Sequence, residues 1–482
     1  MDRLLLGIDL GSSAAKATLV DERGGIISRA TVPQSVSRPV PGAAEQDPDE
    51  WWSALPALVA ATLGTLPPSE HGRLAGLAIS GHYPTLLLAD GGGEPLAPAM
   101  LYGDRRADSE VDAAAALGGE ALVGDEWLPK LLWLRRMEPG LLRRTRMVFN
   151  PHDHVAFRLT GERGLDHRSA RRSGGLFDPR RLAWRSDVCA ATSLPPAALP
   201  PLRRAGEELG RVTAAAAATS GVPAGTRVVV GLGDTPAELI GAGVAHPGDA
   251  LLYYGTTTSV DVCTHDVEAY LRDPAPIADW APYNEVAYAV LGPALPWVAA
   301  GLEPSGSVDS GADISRLDAL AAALEPSLDA PYVVPSFLAH ARPGAPIRRP
   351  AILGLDVGHS RVDLHRALLE SFGFIARAGL EAADIDPGGL RCIATGGGAR
   401  SAAWRQLVSD VLGAVQVWRP SADAALGSAA LAAWATCGAD VFSPGNWTTE
   451  TGAPSTEPDA DRHRVEDARY RTWRRFRDAL PS

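Results

Sequence analysis

Short apolar segments that end in small residues occur near the start of each half of the chain. Leu4 to Leu10 predicts a buried strand that leads into Gly11-Ser12-Ser13, and a second strand, Ala15 to Val20, follows directly. Leu251 to Tyr254 predicts a strand that ends in the same kind of turn before the strand Val260 to Cys263. The repeated strand–turn–strand pattern is consistent with an internal duplication of architecture.

Helical periodicity is strongest in the last third of the chain. Apolar residues at three- and four-residue steps predict an amphipathic helix from Asp363 to Ala378. Ser401 is a good N-cap for a helix through Leu412, which Gly413 ends. Because strands and helices alternate, the pattern predicts an α/β fold. We place two domains at residues 1–245 and 246–482.

The composition and net charge of the chain limit the kinds of molecule that it is expected to bind. The 482 residues are 46% hydrophobic and 21% charged, which is typical of a globular protein, and the net charge is −12. Such an acidic chain is not expected to bind nucleic acid or an anionic membrane surface, because its mean field repels phosphate. The N-terminus does not resemble a signal peptide and the four cysteines lie far apart, so we expect a cytoplasmic protein with buried, unpaired thiols.

Two of the small-residue loops also carry a carboxylate. Asp9 lies at the end of the first strand, where backbone N–H groups approach an anion easily and an Asp can hold Mg²⁺ beside phosphate oxygens. Asp234 follows Gly233 at the exit of the strand Thr226 to Val230, a position suited to a base for a substrate hydroxyl. The alternatives are a tight hairpin with an Asx cap for Asp9 and a helix N-cap for Asp234.

Two further loops have small residues and no carboxylate. Gly255-Thr256-Thr257-Thr258 offers N–H and hydroxyl donors for a second phosphate, and Gly396-Gly397-Gly398 would let a flat base lie on bare backbone. Each loop taken singly fits an ordinary turn as well. Their order along the chain is what makes the set specific.

With these motifs in place, nearly the whole chain resembles the FGGY carbohydrate kinases, and within them most closely the xylulokinases. The segments that carry the resemblance are Gly7-Ile8-Asp9-Leu10-Gly11-Ser12 with Lys16, Glu45-Gln46-Asp47-Pro48, Pro129-Lys130-Leu131-Leu132-Trp133-Leu134, Gly233-Asp234, Gly255-Thr256-Thr257, Gly396-Gly397-Gly398-Ala399-Arg400-Ser401 and Asp423-Ala424-Ala425-Leu426-Gly427.

The resemblance implies a fold, ligands and residue roles. It implies two ribonuclease H-like, actin-like ATPase domains with a cleft between them, the first (1–245) binding sugar and the second (246–482) binding nucleotide. It also implies ATP, Mg²⁺ and a homodimer. Asp234 would be the base, with Asp9 and Asp234 serving the metal. The residues implied to contact ATP are Gly11, Ser12, Ser13, Lys16, Gly255, Thr256, Thr257, Gly396, Gly397, Gly398 and Ser401.

The sugar-recognition segments depart from the family pattern more than the nucleotide segments do. For the sugar pocket we expect His82, Asp104, Arg106 and Asp234, with Thr235 standing where the family has Asn. Asp104 and Arg106 would alternatively form a structural ion pair, and His82 would be a satisfied core histidine. A further family segment is replaced around His340-Ala341-Arg342-Pro343.

The resulting expectation is an ATP-dependent kinase of a small sugar, foremost a ketopentose such as xylulose. Another pentulose or polyol, such as ribulose, erythritol or a glycerol-like acceptor, is the first alternative. A non-catalytic sugar-sensing protein on the same fold is the second, suggested by the altered sugar segments. Retention of both Asp9 and Asp234 favours the enzyme, because a binding module needs neither.

Overall fold

The computed structural model describes residues 3–119, 124–275, 282–301, 310–335, 350–443 and 454–480. The chain folds into two compact units. The first comprises Met1–Ala245, His265–Ala281 and Ala422–Thr449, and the second comprises His246–Thr264, Pro282–Ser421 and Glu450–Ser482.

The strands of the first unit are β1 (Leu4–Leu10), β2 (Ala14–Asp21), β3 (Ile26–Pro33), β4 (Glu45–Gln46), β5 (Leu74–Gly81), β6 (Leu87–Ala89), β7 (Ala99–Met100), β8 (Met147–Phe149), β9 (Leu165–Asp166), β10 (Phe177–Asp178), β11 (Ala183–Trp184), β12 (Leu202–Arg203), β13 (Glu208–Arg211), β14 (Arg227–Val229) and β15 (Leu232–Gly233). Those of the second are β16 (Asp249–Tyr254), β17 (Thr257–Cys263), β18 (Tyr283–Val290), β19 (Tyr332–Val334), β20 (Ala351–Leu353), β21 (Arg391–Thr395), β22 (Gln416–Trp418) and β23 (Ser455–Thr456).

The helices in chain order are α1 (Pro48–Thr62), α2 (Val111–Gly118), α3 (Trp127–Met137), α4 (Pro139–Arg144), α5 (Pro151–Thr160), α6 (His167–Arg171), α7 (Ser186–Thr192), α8 (Ala214–Ser220), α9 (Asp234–Gly241), α10 (Val267–Arg272), α11 (Ala294–Ala299), α12 (Ser310–Ala323), α13 (Arg361–Ala382), α14 (Ala402–Leu412), α15 (Ala424–Cys437) and α16 (Ala460–Ala479). Of these, α1 to α10 and α15 belong to the first unit and the others to the second.

Each unit is built on one principal sheet, and the two sheets share the order and direction of their strands, although the antiparallel edge strand precedes its partner along the chain in the first unit (β13) and follows it in the second (β23). In the first unit the order is β13-β14-β5-β1-β2-β3, with β15 also paired to β5. In the second unit the order is β18-β17-β16-β21-β22-β23. In both sheets the first strand along the chain (β1 or β16) pairs antiparallel with the next strand (β2 or β17). On its other side it pairs parallel with a later strand (β5 or β21). The shared topology confirms a duplicated architecture.

Apolar residues on alternate positions of the sheets form the cores. In the first unit Leu4, Leu6 and Ile8 of β1 are fully buried against α1, α5 and α8. In the second unit Tyr254 packs edge-on against Phe372 and Trp404, which come from α13 and α14. The cysteines Cys189, Cys263 and Cys392 are buried, whereas Cys437 is half-buried, unlike the expected buried thiol.

Two segments of the second half of the sequence lie in the first unit. The chain first passes between the units after Ala245, and His265–Ala281 and Ala422–Thr449 belong with the first unit. The second of these segments belongs to the first unit because its helix is buried there. Residues Ala424 to Ala433 of α15 are buried, and the helix packs on β1, β5 and α9. A helix that is apolar on all sides needs such a buried place.

Among the helices in the described ranges, none has the length and apolar character to cross a membrane.

Candidate active site

Three parallel strands of the first unit, β1, β5 and β15, end beside one another, and their ends hold the candidate catalytic carboxylates. Asp9 of β1 is in register with Ser80 of β5, and Gly233 of β15 is in register with Gly81 of β5. Asp234 follows β15 directly as the first residue of α9. Because carboxyl ends of neighbouring parallel strands meet at one edge of a sheet, residues far apart in sequence meet here.

The Asp9 carboxylate is buried and accepts one short hydrogen bond from within the described residues. Its Oδ1 accepts a hydrogen bond from Ser80 Oγ at 2.8 Å. Burial raises the pKa of Asp9 to about 6, although the Ser80 bond and the charge of Lys16, its cross-strand neighbour, act in the opposite direction. The ionised Asp9 carboxylate is therefore destabilised by burial, and a bound cation or a proton would stabilise it.

Asp234 is half-buried, and its ionised carboxylate is destabilised in the same way. Its Oδ1 accepts a hydrogen bond from the Thr235 N–H at 2.8 Å. Burial, followed by the charge of Asp9, raises the pKa of Asp234 to about 7. Glu238 lies one helical turn further along α9, and burial together with the charge of Asp234 raises its pKa to about 8.

The acidic groups at this edge fit a weakly coordinated divalent cation. The charge of Asp423 contributes to the raised pKa of Asp9, that of Asp9 to the raised pKa of Asp234, and both Asp234 and Asp9 to the raised pKa of Glu238, as expected for carboxylates that await a counter-charge. Within the described ranges no three His, Cys, Asp or Glu side chains form a ready-made metal cage. That combination fits Mg²⁺, which typically takes one or two carboxylates and completes its shell with water and substrate phosphates.

The turn after β1 has free backbone donors. The Gly11 N–H bonds to the Ala14 carbonyl at 3.1 Å, and the carbonyls of Ser12 and Ser13 accept bonds from Gln46 Nε2 and the Gln34 N–H. The N–H groups of Ser12 and Ser13 have no partner in the part of the chain that the structure describes. Unused N–H groups in a small-residue turn are suited to an anion.

His82 is buried and both ring nitrogens are bonded to protein groups. Nδ1 lies 2.7 Å from Thr85 Oγ1, and Nε2 lies 2.8 Å from Gln46 Oε1, which also accepts from Trp51 Nε1. Burial, with the charges of His152 and Lys130, lowers the pKa of His82 to about 3. The ring thus matches the structural alternative, and its predicted contact with substrate stays a prediction.

Asp104 and Arg106 form an ion pair. The Asp104 side chain is fully buried, and it accepts from the Ala44 N–H at 3.1 Å and from Arg106 Nη2 at 2.6 Å. Arg106 also contacts Glu45 at 2.6 Å and lies over the ring of Trp133. A role for this pair in sugar binding stays a prediction, as does that of the exposed Thr235. The segment around His340-Ala341-Arg342-Pro343 lies outside the described residues.

His152 is a member of the cluster that sequence reasoning missed. Its ring is buried at the start of α5, with Nε2 at 3.8 Å from Asp166 Oδ2. Burial lowers its pKa, but Asp166 and Asp153 outweigh that effect and the net shift is upward, so its positive charge acts on Asp9 and Asp234. No spacing pattern indicates this histidine, whereas Glu238 was detectable as the fourth residue after Asp234 on a helix.

The second unit carries the other loops. The Gly255 N–H closes the turn after β16 by bonding to the Thr257 carbonyl at 3.0 Å, and Thr256 is exposed at its tip. Ser401 caps α14 through a bond from the Trp404 N–H at 3.2 Å, as predicted.

Of the three glycines after β21, Gly397 is the one at which a side chain would contact no neighbouring atom. Gly396 has φ +89°, and a Cβ there would lie 2.6 Å from the Tyr254 carbonyl oxygen, so only glycine fits. A Cβ on Gly397 would meet nothing within 4 Å. The backbone at Gly397 is therefore bare and accessible.

Comparison with known proteins identifies the group of relatives. A family model for the N-terminal domain of the FGGY family of carbohydrate kinases matches residues 4–241, and the model for the C-terminal domain matches residues 254–436. A xylulose kinase from Escherichia coli (strain K12) is 31% identical over 456 residues and one from Klebsiella pneumoniae 30% over 448, each covering 89% of both chains. The crystal structure of xylulose kinase from Rhodospirillum rubrum is 30% identical, with a TM-score of 0.81 over 98% of both chains.

Proposed function

The chain belongs to the FGGY family of carbohydrate kinases and is a sugar kinase of the actin-like ATPase fold, and we propose that it transfers the γ-phosphate of ATP to a ketopentose, foremost xylulose. Xylulose kinases that are about 30% identical over most of the chain support this acceptor. The altered sugar segments around His82 and Asp104 leave ribulose and small polyols as the second choice.

The observation that carries the proposal is the position of Asp234 beside Asp9 at the ends of parallel strands. With a pKa of about 7, Asp234 is about half ionised at neutral pH, which suits a general base. Asp234 takes the proton of the attacking hydroxyl while Thr235, bonded to its Oδ1, holds the carboxylate in place. Such a base contributes roughly 10²–10⁴ in rate.

The remaining chemistry is charge neutralisation and positioning. Asp9 would hold Mg²⁺, with Asp234 close by, and the bound metal would neutralise charge on the phosphate oxygens. The free N–H groups of Ser12 and Ser13 would contact phosphate, and Lys16 would add a positive charge near Asp9. Gly11 shapes this turn through its bond to Ala14.

The second unit would bind the nucleotide. Gly255, Thr256 and Thr257 would take phosphate oxygens, and the adenine would lie against Gly396, Gly397 and Gly398, where the Gly397 backbone is bare, with Ser401 shaping the loop as the α14 cap. In this proposal the sugar-binding role falls to the first unit, including its segments 265–281 and 422–449.

A panel of acceptors tests the proposal. ADP release is measured with Mg²⁺–ATP and D-xylulose, D-ribulose, erythritol or glycerol at matched concentrations. We expect xylulose to give the highest kcat/KM. Faster turnover of another member of the panel would replace the acceptor. ADP release that no sugar or polyol stimulates would contradict the kinase and favour a sugar sensor.

A further inference from the structure

Tyr83 lies at the same edge of the first unit as the proposed base. It follows His82, whose N–H donates to the carbonyl of Leu10, the last residue of β1, at 3.1 Å. The aromatic ring of Tyr83 covers Gly233, the residue directly before Asp234, because a Cβ on Gly233 would lie 2.2 Å from two carbons of that ring. The ring is therefore in direct contact with the strand end that carries the base.

The Tyr83 side chain is half-buried, whereas His82 and Pro84 on either side are buried. Within the described residues the Tyr83 hydroxyl forms no hydrogen bond. Burial raises the pKa of this hydroxyl, and the charge of Asp234 adds to the rise although that of Arg168 opposes it, so the group is protonated at neutral pH. A protonated phenol both donates and accepts hydrogen bonds, and a buried one usually has a partner.

The backbone beside Tyr83 is held in place by a buried lysine. The side chain of Lys130 is fully buried, and its Nζ donates to the carbonyls of Pro84, Met100 and Leu101 at 3.2, 3.1 and 2.8 Å. These bonds use all three hydrogens of the ammonium group and join the loop after β5 to the segment after β7. A ring on such a fixed backbone is suited to orienting a ligand.

We propose that Tyr83 contacts the acceptor and determines which acceptors are phosphorylated. Its ring would form one wall of the space beside Asp234 and so limit the size of acceptor that fits there. Its hydroxyl would form a hydrogen bond with an acceptor hydroxyl other than the one that receives the phosphate. A small polyhydroxy ketose offers one hydroxyl for Asp234 and others for this contact. The inference rests on the proposed function, because it identifies a specificity residue of the same site.

The variant Tyr83→Phe tests the hydroxyl. It keeps the ring against Gly233 and removes only the hydrogen-bonding group, so kcat/KM with xylulose should fall by about 3- to 10-fold, the effect of one neutral hydrogen bond. The Kd for xylulose, measured by calorimetry without nucleotide, should rise by a similar factor. Tyr470→Phe is the matched control, because it removes a hydroxyl that bonds to Glu381 in the second unit, and both values should stay as in the wild type.

The variant Tyr83→Ala tests the ring as a wall. Removing the ring opens the space against Gly233, so a six-carbon ketose such as fructose should gain relative to xylulose. The ratio of their kcat/KM values, fructose over xylulose, should rise by about 10-fold or more. A loss of stability alone leaves this ratio unchanged, because both acceptors are measured on the same folded fraction. Tyr470→Phe should keep the wild-type ratio.

The outcomes separate this inference from the proposed function. If xylulose is phosphorylated and Tyr83→Phe keeps the wild-type kcat/KM and Kd, the role of Tyr83 is refuted and the kinase stands. The same holds if Tyr83→Ala lowers the turnover of fructose and xylulose by one common factor, which would indicate a structural role. If Tyr83→Phe weakens xylulose binding but the wild type phosphorylates no acceptor, the contact stands and the kinase is refuted.

Discussion

His82 shows how hydrogen bonds to neighbours fix the tautomer of a buried ring. Trp51 Nε1 can only donate, so Gln46 Oε1 must accept from it. The His82 nitrogen bonded to that same oxygen, Nε2, therefore carries the hydrogen, and Nδ1 accepts from Thr85 Oγ1. Burial, with the nearby positive charges of His152 and Lys130, opposes a second ring proton, and the pKa is lowered to about 3.

From this pKa we predict a loss of stability at mildly acidic pH. An unfolded chain takes up the His82 proton near pH 6.5, but the folded ring does so only near pH 3. Between these values the unfolded state binds more protons, so stability falls as the pH falls. At pH 5 the His82 contribution is a loss of about 2 kcal/mol relative to pH 7.

Urea unfolding of the wild type and of His82→Gln at pH 7 and pH 5 measures this contribution. The variant should lose about 2 kcal/mol less than the wild type between the two pH values. Equal losses in both proteins would contradict a neutral, proton-resistant His82.

At the scale of single residues the sequence predicts the parts of the site that carry a motif. Asp9 and Asp234 each follow a strand and are flanked by small residues, so their positions could be inferred. His152 carries no such signal, because its proximity to both depends on how α5 packs beside β5.

At the scale of elements, a buried four-residue cluster ties the last helix to the longest one. Arg366 and Glu370 of α13 meet Glu466 and Arg469 of α16, and all four side chains are at most 3% exposed. Arg366 contacts Glu370 at 2.6 Å and Glu466 at 3.0 Å, and Arg469 contacts Glu370 at 2.7 Å. The two positive and two negative charges compensate one another.

Removing one charge from this cluster should be costly. Glu466→Gln leaves two buried arginines with one carboxylate, and we expect a loss of about 3–5 kcal/mol in the stability of the second unit. Glu325→Gln is the matched control, because Glu325 pairs with Arg462 at 2.9 Å but is largely exposed, and it should cost at most about 1 kcal/mol. Chemical denaturation distinguishes them, and similar losses for both would contradict the assignment.

Local signals predicted the elements that carry the loops. The strand from Leu4 to Leu10 and the helix from its Ser401 cap to Gly413 are found as predicted. The strand Tyr283–Val290 was not assigned from the sequence. Its place at the sheet edge is set by pairing with β17, which no local pattern encodes.

At the scale of the whole molecule, the sequence predicts two similar sheets but not which segments complete each unit. The apolar sequence of α15 indicates burial without indicating the surface that covers it. The structure shows that surface: a Cβ on Gly7 of β1 would lie 1.9 Å from the Ala425 carbonyl oxygen. This close approach brings Asp423, the N-cap of α15, near Asp9, so a residue from the end of the chain joins the first active-site motif.

The most direct test of the account is the effect of Asp234→Asn on phosphoryl transfer and on ATP binding, measured in the same preparation. If Asp234 is the base, kcat with the best acceptor should fall by roughly 10²–10⁴, while the Kd for ATP stays within about threefold of the wild type, because Asp9, the turn after β1 and the loops of the second unit, which are proposed to hold ATP and Mg²⁺, are unchanged. Undiminished turnover in this variant would contradict the central claim.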